Sequence, residues 1–312
     1  MFHKRFFFIS GLIFLFSFSA NANEDYNLQE VSPGIYYHQG INEDASEVNL
    51  GAIANVGFII GERCVAVVDS GGSYIEGTYL RQAIKKQTDL PICYVINTHV
   101  HPDHLLGNAA FKQDKPTYVG HEKLPAALAA RKSFYIKAFK RILGKSFAGS
   151  EFIPPTLTVK IGQPITLDLG NRLITLTAYP TAHTDNDLTV LDNKTKTLWT
   201  GDLLFIKRIP VIDGSINGWI KIIPQLQSLN LNYVIPGHGH ACASKDKWQQ
   251  GFKNELRYLT TLRDEIRVII NNMGTIEQAT KTVGIKEKDN WELFDLYNRR
   301  NVTASFVELE WD

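Results

Sequence analysis

Three of the nine histidines of this chain, His99, His101 and His104, fall within six positions, with Asp103 among them. The stretch reads NTHVHPDHLLGN, residues 97–108, and it follows the apolar run CYVI. His99 and His101 stand two apart, so in extended backbone they point to the same side. Pro102 suits the first turn of a helix, which swings Asp103 and His104 toward the same place. Imidazole nitrogen and carboxylate oxygen are donors that Zn²⁺, Fe²⁺ and Mn²⁺ accept. Buried without a cation, such a cluster would strand several polar atoms with no partner.

Four donors on one loop cannot wrap two cations, so the remaining donors must come from other strand ends. His183 follows LTAYPTA, Asp202 follows TLWTG, and His238 follows YVIPG, each at the end of a β-rich run. The elements that carry them can be traced along the chain. From Val31 to Asp69, short apolar runs alternate with glycines, which reads as strands joined by tight turns. Helical character over 79–87, then apolar strands over 92–98 and 116–120, make a βαβ unit. Residues 122–143 set Leu124, Leu128, Tyr135, Phe139 and Ile142 at helical intervals, with Lys132, Lys137, Lys140 and Arg141 between them. This predicts an amphipathic helix with a basic face. A second set of strands is expected over 157–159, 165–169, 172–178, 188–191 and 197–200. A helix over 216–229 and a strand ending in PGHGH follow. Beyond Ser244 one stripe carries Trp248, Phe252, Leu256, Leu259, Leu262, Ile266 and Ile269, and Thr275 with Gln278 forms a capping box for the next helix. Two halves of this kind predict an α/β fold with two sheets face to face and helices outside.

The motifs HVHPDH at 99–104, AHTDND at 182–187, TGD at 200–202 and PGHG at 236–239 resemble, in order, those of the metallo-β-lactamase fold superfamily. The resemblance covers roughly residues 31–245 and implies a four-layer αββα sandwich with the site between the sheet edges. It implies that His99, His101 and His183 bind a first metal, that Asp103, His104 and His238 bind a second, and that Asp202 bridges both. Two Zn²⁺ are the expected cofactors, and Fe or Mn suits the same donors. Many lactamases of this fold carry Cys or Ser at the position of Asp202, whereas glyoxalase II, lactonases and arylsulfatase-like members carry Asp. A β-lactamase is therefore a less favoured reading. The segments VSPGIYYHQG and NLGAIANVGFIIGERCVAVVDSGGS, with the terminal YNRRNVTASFVELEW, are similar to the periplasmic quinoprotein relay system zinc metallohydrolases. That likeness implies service to a periplasmic quinoprotein system.

The N-terminus carries Lys4 and Arg5, an apolar run from Phe6 to Phe18, and the small-x-small pattern Ala20-Asn21-Ala22. These features predict a signal peptide over 1–22, with no stable membrane insertion after its cleavage and a periplasmic or secreted location. A catalytic domain over 23–245 and a helical extension over 246–312 packed on it follow. Without Lys4 and Arg5, 31 basic residues face 32 acidic ones, so no nucleic acid or other polyanion is indicated. Cys64, Cys93 and Cys242 are three and far apart, which argues against a disulfide framework and for buried Cys64 and Cys93 as small hydrophobes.

With two divalent cations, Asp103, Asp202 and one hydroxide, the site would keep about one positive charge, which favours a developing oxyanion. The expected activity is a metal-dependent hydrolase in which a metal-bound hydroxide attacks an ester, thioester, lactone or amide-like carbonyl of a small molecule, with Asp103 orienting the nucleophile. Two alternatives use the same residues. A mononuclear iron sulfur dioxygenase would need only His99, His183 and Asp202. A non-catalytic metal-dependent maturation or binding factor would need no turnover. The rim is expected to include residues 38–57 and the run LLFIKRIPVIDGS, where Lys207 or Arg208 could anchor an anionic group. Asp69 is expected to hold the loop under the site, His121 to open a helix, and His38 and His240 either to fix a ligand imidazole or to have no role.

Overall fold

Continuous apolar runs such as VAVV at 65–68 are the signature of strands buried on both faces. In the computed structural model, which describes residues 26–312, they build the centre of a seven-stranded sheet. Its strands run in chain order from edge to edge: β1 (Leu28–Ser32), β2 (Ile35–His38), β3 (Val56–Ile60), β4 (Val65–Val68), β5 (Ile92–Ile96), β6 (Thr117–His121) and β7 (Leu157–Val159). The first four pair antiparallel, and β4 to β7 pair parallel. The crossovers of the parallel part hold α1 (Tyr74–Gln87), α2 (Pro102–Leu105) with a 3₁₀ continuation, and α3 (Leu124–Leu143). The expected signal peptide lies outside the described residues.

The second sheet has five strands: β8 (Ile165–Asp168), β9 (Leu173–Ala178), β10 (Leu188–Asp192), β11 (Thr197–Phe205) and β12 (Tyr233–His238), in spatial order 12-11-10-9-8. Between β11 and its parallel neighbour β12 the chain crosses over through α4 (Ile216–Gln227). Three helices follow, α5 (Lys245–Asn271), α6 (Ile276–Thr282) and α7 (Phe294–Leu309). Ile59, Val68, Ile96 and Val119 of the first sheet interdigitate with Leu176, Val190, Trp199 and Ile235 of the second. Leu80 and Ile84 of α1 cover the outer face of the first sheet. Trp219 of α4, Trp248, Phe252 and Leu259 of α5, and Val302 and Phe306 of α7 share one core with Leu203 and Leu204 of β11. The fold is therefore α/β with αββα layering and a C-terminal helical part, as expected. Burying apolar surface on both faces of each sheet leaves only strand ends for polar chemistry.

Three expectations shift. α1 starts at Tyr74 because Ser73 caps it, its hydroxyl accepting from the Glu76 amide. β11 continues to Phe205, so Asp202 lies inside a strand that is buried throughout. Gly201, just past the expected strand 197–200, takes φ +52 there, and a Cβ on it would strike Thr98. The third is a correction. Cys64 and Cys93 are joined as a disulfide with Cα atoms 5.8 Å apart, rather than packing as separate thiols. Between β4 and β5 the register jumps, with Val65 opposite Ile92 and Ala66 opposite Tyr94. Cys93 is the extra residue of that bulge and is thereby turned to Cys64, a juxtaposition that only strand pairing creates.

The bridge closes a separation of 29 residues, for which chain entropy gives about 3 to 4 kcal/mol of stabilisation. The double variant Cys64→Ala, Cys93→Ala should lower the unfolding free energy obtained from urea titration by that amount, with the midpoint falling accordingly, and dithiothreitol should do the same to the parent chain. An unchanged midpoint in both would mean the thiols are not crosslinked.

Candidate metal centre

The loop and short helix after β5, the β9–β10 turn, the interior of β11 and the end of β12 bring all seven expected residues to one edge of the sandwich. The donor atoms of His99, His101, His183 and Asp202 lie within 4.8 Å of one another, and those of Asp103, His104 and His238 form a second such group. Asp202 stands between the groups. Its Oδ1 is 3.1 Å from His104 Nε2, and its Oδ2 is 3.3 Å from His183 Nε2 and 3.4 Å from His238 Nε2. Asp103 Oδ2 is 3.4 Å from His238 Nε2. Gly237 sits against Asp202, and a Cβ there would collide with its carboxylate. A strand interior can thus deliver a carboxylate to the site only because the neighbouring strand offers no side chain at that point.

Each of the five imidazoles is held through one ring nitrogen. Asp69, at φ +55, accepts the Thr98 amide at 2.8 Å on Oδ1, and the Thr98 hydroxyl at 2.8 Å and His104 Nδ1 at 2.8 Å on Oδ2. Since the Thr98 hydroxyl spends its proton on Asp69, it must accept from His99 Nδ1, 3.0 Å away. His183 Nδ1 donates to the Val211 carbonyl at 2.6 Å and His238 Nδ1 to the Ile53 carbonyl at 2.7 Å. His101 is reversed: Nε2 donates to Asp213 Oδ2 at 3.0 Å. Every second nitrogen is thereby left as a bare lone pair aimed inward.

That arrangement is the test of whether these residues fit a metal. His99 Nε2, His104 Nε2 and Asp202 Oδ1 are buried with no hydrogen-bond partner. His101 Nδ1 and His183 Nε2 face each other at 3.0 Å, two acceptors with no proton assigned between them. Cations between the lone pairs resolve both features, so the residues fit the group. The local electrostatics point the same way. Burial, reinforced by His104, holds His99 well below the usual imidazole range, and burial brings His183 down to about 3. Burial also opposes charge on His104, yet Asp202, Asp103 and Asp69 around it outweigh this and raise it. Asp202 and Asp103 are held well below the carboxylate range because the surrounding imidazoles outweigh their burial. Asp213 falls to about 2, its hydrogen bond to His101 overcoming its burial. The carboxylates are anionic and two of the imidazoles strongly neutral, which are the forms that ligate.

His101, Asp103, Asp202 and His238 open onto a cavity of about 500 Å³. Both expected rim segments reach it, through Asp44, Ala45 and Ile53 and through Arg208 and Val211. Lys207 does not; with His240 it lines a separate cavity beside α5. His38 stacks on Tyr26 and bonds the Asn27 carbonyl rather than a ligand ring. His121 is buried, bonds the Tyr179 carbonyl and accepts the Lys123 amide just before α3. The anchors Thr98 and Asp213, and the cavity walls from α3 and from Tyr297 and Arg300 of α7, were not foreseen. Asp213 stands eleven residues past Asp202 in a loop with no spacing signal, and α7 carries no motif; their roles arise only where the chain folds back.

A family model described as the metallo-beta-lactamase superfamily matches residues 51–242. No curated protein matches the chain. Among solved structures, a metallo-beta-lactamase from Pontibacter korlensis aligns at TM-score 0.60 and 18% identity, over 75% of this chain and 98% of its own. The DIM-1 metallo-beta-lactamase aligns at 0.58 and 19%, over 75% and 97%. A stereoselective inverting sec-alkylsulfatase from Pseudomonas sp. aligns at 0.70 and 15%, over 91% of this chain and 50% of its own. The chain thus spans half the length of that alkylsulfatase. At these identities the likeness concerns the fold.

Replacing Asp213 by Asn keeps the shape of the anchor but removes its charge. Zinc affinity, followed by competition with a chromogenic chelator, should fall about 10- to 100-fold at one of two sites. Unaltered affinity at both sites would deny Asp213 an orienting role.

Proposed function

Because the chain belongs to the metallo-β-lactamase superfamily and is a metal-dependent hydrolase, we propose that it is an exported binuclear zinc enzyme acting on an ester, thioester, lactone or amide-like carbonyl. The observation that carries this is the set of five imidazoles, each anchored at one nitrogen and presenting the other around Asp202. His99, His101 and His183 would hold one ion, Asp103, His104 and His238 the other, and Asp202 would touch both. Bound there, two such ions supply Lewis acidity and a water whose pKa drops to about 7.

The chain's own residues do the rest. Asp103 lines the cavity as an anion, so it accepts a hydrogen bond from a water entering there and turns that water's lone pair outward. Asp69 and Thr98 hold His99 and His104 as a unit, so neither ring turns as charge develops.

The iron dioxygenase alternative leaves His101, His104 and His238 without work. Here each is anchored and aimed like His99 and His183, which supports the two-ion reading. The bridge between Cys64 and Cys93 supports export, because such bonds persist in oxidising compartments. Among the described residues no helix is long and apolar enough to cross a membrane. Service to a periplasmic quinoprotein system rests on the sequence likeness described above.

Elemental analysis of protein purified from the periplasm should find two zinc ions per chain. The same protein should hydrolyse at least one member of an ester, lactone, thioester and β-lactam panel. His101→Ala should retain one ion and lose turnover by about 100-fold or more. One iron per chain, or zinc-loaded protein inert to the whole panel, would overturn the reading.

A further inference from the structure

We infer that the substrate of this site is an amphiphilic anion, with its negative group held by Arg208 and its apolar body lying along α3. This rests on the hydrolase reading above and names the class of molecule the same cavity takes.

Arg208 is 3% exposed and lines the cavity that holds Asp103, Asp202 and His238. Among the described residues it has no carboxylate partner. One terminal nitrogen donates to the Glu43 carbonyl at 2.7 Å, the other to the Tyr297 hydroxyl at 3.4 Å, and the guanidinium lies 5.5 Å from the centre of the Tyr297 ring. Its Nε has no partner at all. A second deeply buried arginine among the described residues, Arg172, shows what such a group normally requires: it is paired in bidentate fashion with Asp192. A buried cation without a counter-charge is costly, and it is tolerated where a ligand supplies the charge. Asp44, which lines the same cavity, is engaged by the Tyr297 hydroxyl. Asp103 and Asp202 belong to the metal cluster. The cavity wall carries Arg141, Arg208 and Arg300 against Asp44, Asp103 and Asp202, so two divalent ions leave it strongly positive.

Apart from Arg141, the part of the wall that α3 supplies is apolar. Tyr135, Phe139 and Ile142 of α3 line the cavity, and Phe134 does so while 69% exposed. The basic face of α3 read from sequence is thus only half its character at this point. A phenyl ring left in water beside an active-site mouth gains burial when an apolar chain covers it. A single unpaired guanidinium suits a carboxylate or a sulfate-type monoanion, and the aromatic wall suits an alkyl or aryl body.

Three esters separate the terms: 4-(octanoyloxy)benzoate, its uncharged counterpart phenyl octanoate, and the short 4-acetoxybenzoate. Water adds across the acyl C–O bond of each, giving a carboxylic acid and a phenol. With zinc-loaded protein, kcat/KM for 4-(octanoyloxy)benzoate should exceed that of either control by about tenfold or more, the worth of a hydrogen bond to a charged group. Arg208→Gln should bring the charged-to-uncharged ratio near one, and Arg208→Lys should restore part of it. Phe134→Ala should reduce the long-to-short ratio.

A second readout does not depend on turnover. Calorimetric binding of 4-octylbenzoate, which has no ester, should be at least about tenfold tighter than binding of benzoate and should weaken in Arg208→Gln with zinc content unchanged. If no ester is cleaved yet 4-octylbenzoate binds through Arg208, this inference stands and the hydrolase reading falls. If esters are cleaved with no preference and 4-octylbenzoate binds no better than benzoate, the inference is overturned and the hydrolase reading stands.

Discussion

Five imidazoles turned inward on two carboxylates at the floor of a cavity make an arrangement that opposes itself. Each ring loses hydration on burial, and the bare nitrogens face one another at distances where two acceptors repel. The arrangement exists because every ring is gripped at its far nitrogen by a group belonging to the scaffold. Two grips are backbone carbonyls of loops, Ile53 and Val211, and three are side chains, Thr98, Asp69 and Asp213. The fold must first place these five acceptors. Only then does the sequence of ligands mean anything.

Much of the surrounding structure follows from that demand. Asp69 accepts three bonds from a left-handed backbone, and its pairing with Thr98 ties the end of β4 to the end of β5. Upstream, the bridge between Cys64 and Cys93 holds the same two strands at their other end. Asn55 donates to the Pro236 and Gly239 carbonyls while its own amide bonds Gly237, so the loop that anchors His238 is itself tied to the first sheet. The turn carrying His183 is locked by Asp187, which accepts the Thr184 amide and hydroxyl. Two sheets are thus stitched across the site edge by polar bonds where the apolar core between them runs out.

The cavity is assembled on a different principle. Its floor is the cluster, while its walls come from α3, from the loop after β11 and from α7 near the C-terminus. Asn301 of α7 bonds the Pro210 carbonyl and the Ile212 amide, and this fastens the loop bearing Arg208, Val211 and Asp213 to the helix that supplies Tyr297 and Arg300. The helical extension therefore shapes the mouth of the site as well as covering the second sheet. A charge such as Arg208 can stay buried and unpaired there because the carbonyl of Glu43 and the face of Tyr297 hold it in place.

Local chemistry singled out the residues that the fold gathers at one edge, and the family resemblance supplied their expected grouping. HVHPDH packs a metal-ligand pattern into six residues, and three further β-rich runs lead into His183, Asp202 and His238, so the cluster and the two-sheet architecture are legible without coordinates. Periodicity also located the stripe of α5 and the capping box at Thr275 and Gln278, because both depend on neighbours three or four residues apart. What the linear text does not contain is any contact between positions far apart along the chain. Cys64 meets Cys93 through a register shift, Asp213 meets His101 across 112 residues, and Gly201, just past the expected strand 197–200, is the bend that keeps Asp202 inside a strand. Residue types and short spacings decide which atoms can bind a cation, whereas the anchoring of each ring and the walls of the cavity are set by strand pairing and helix packing, interactions that exist only once the chain has closed on itself.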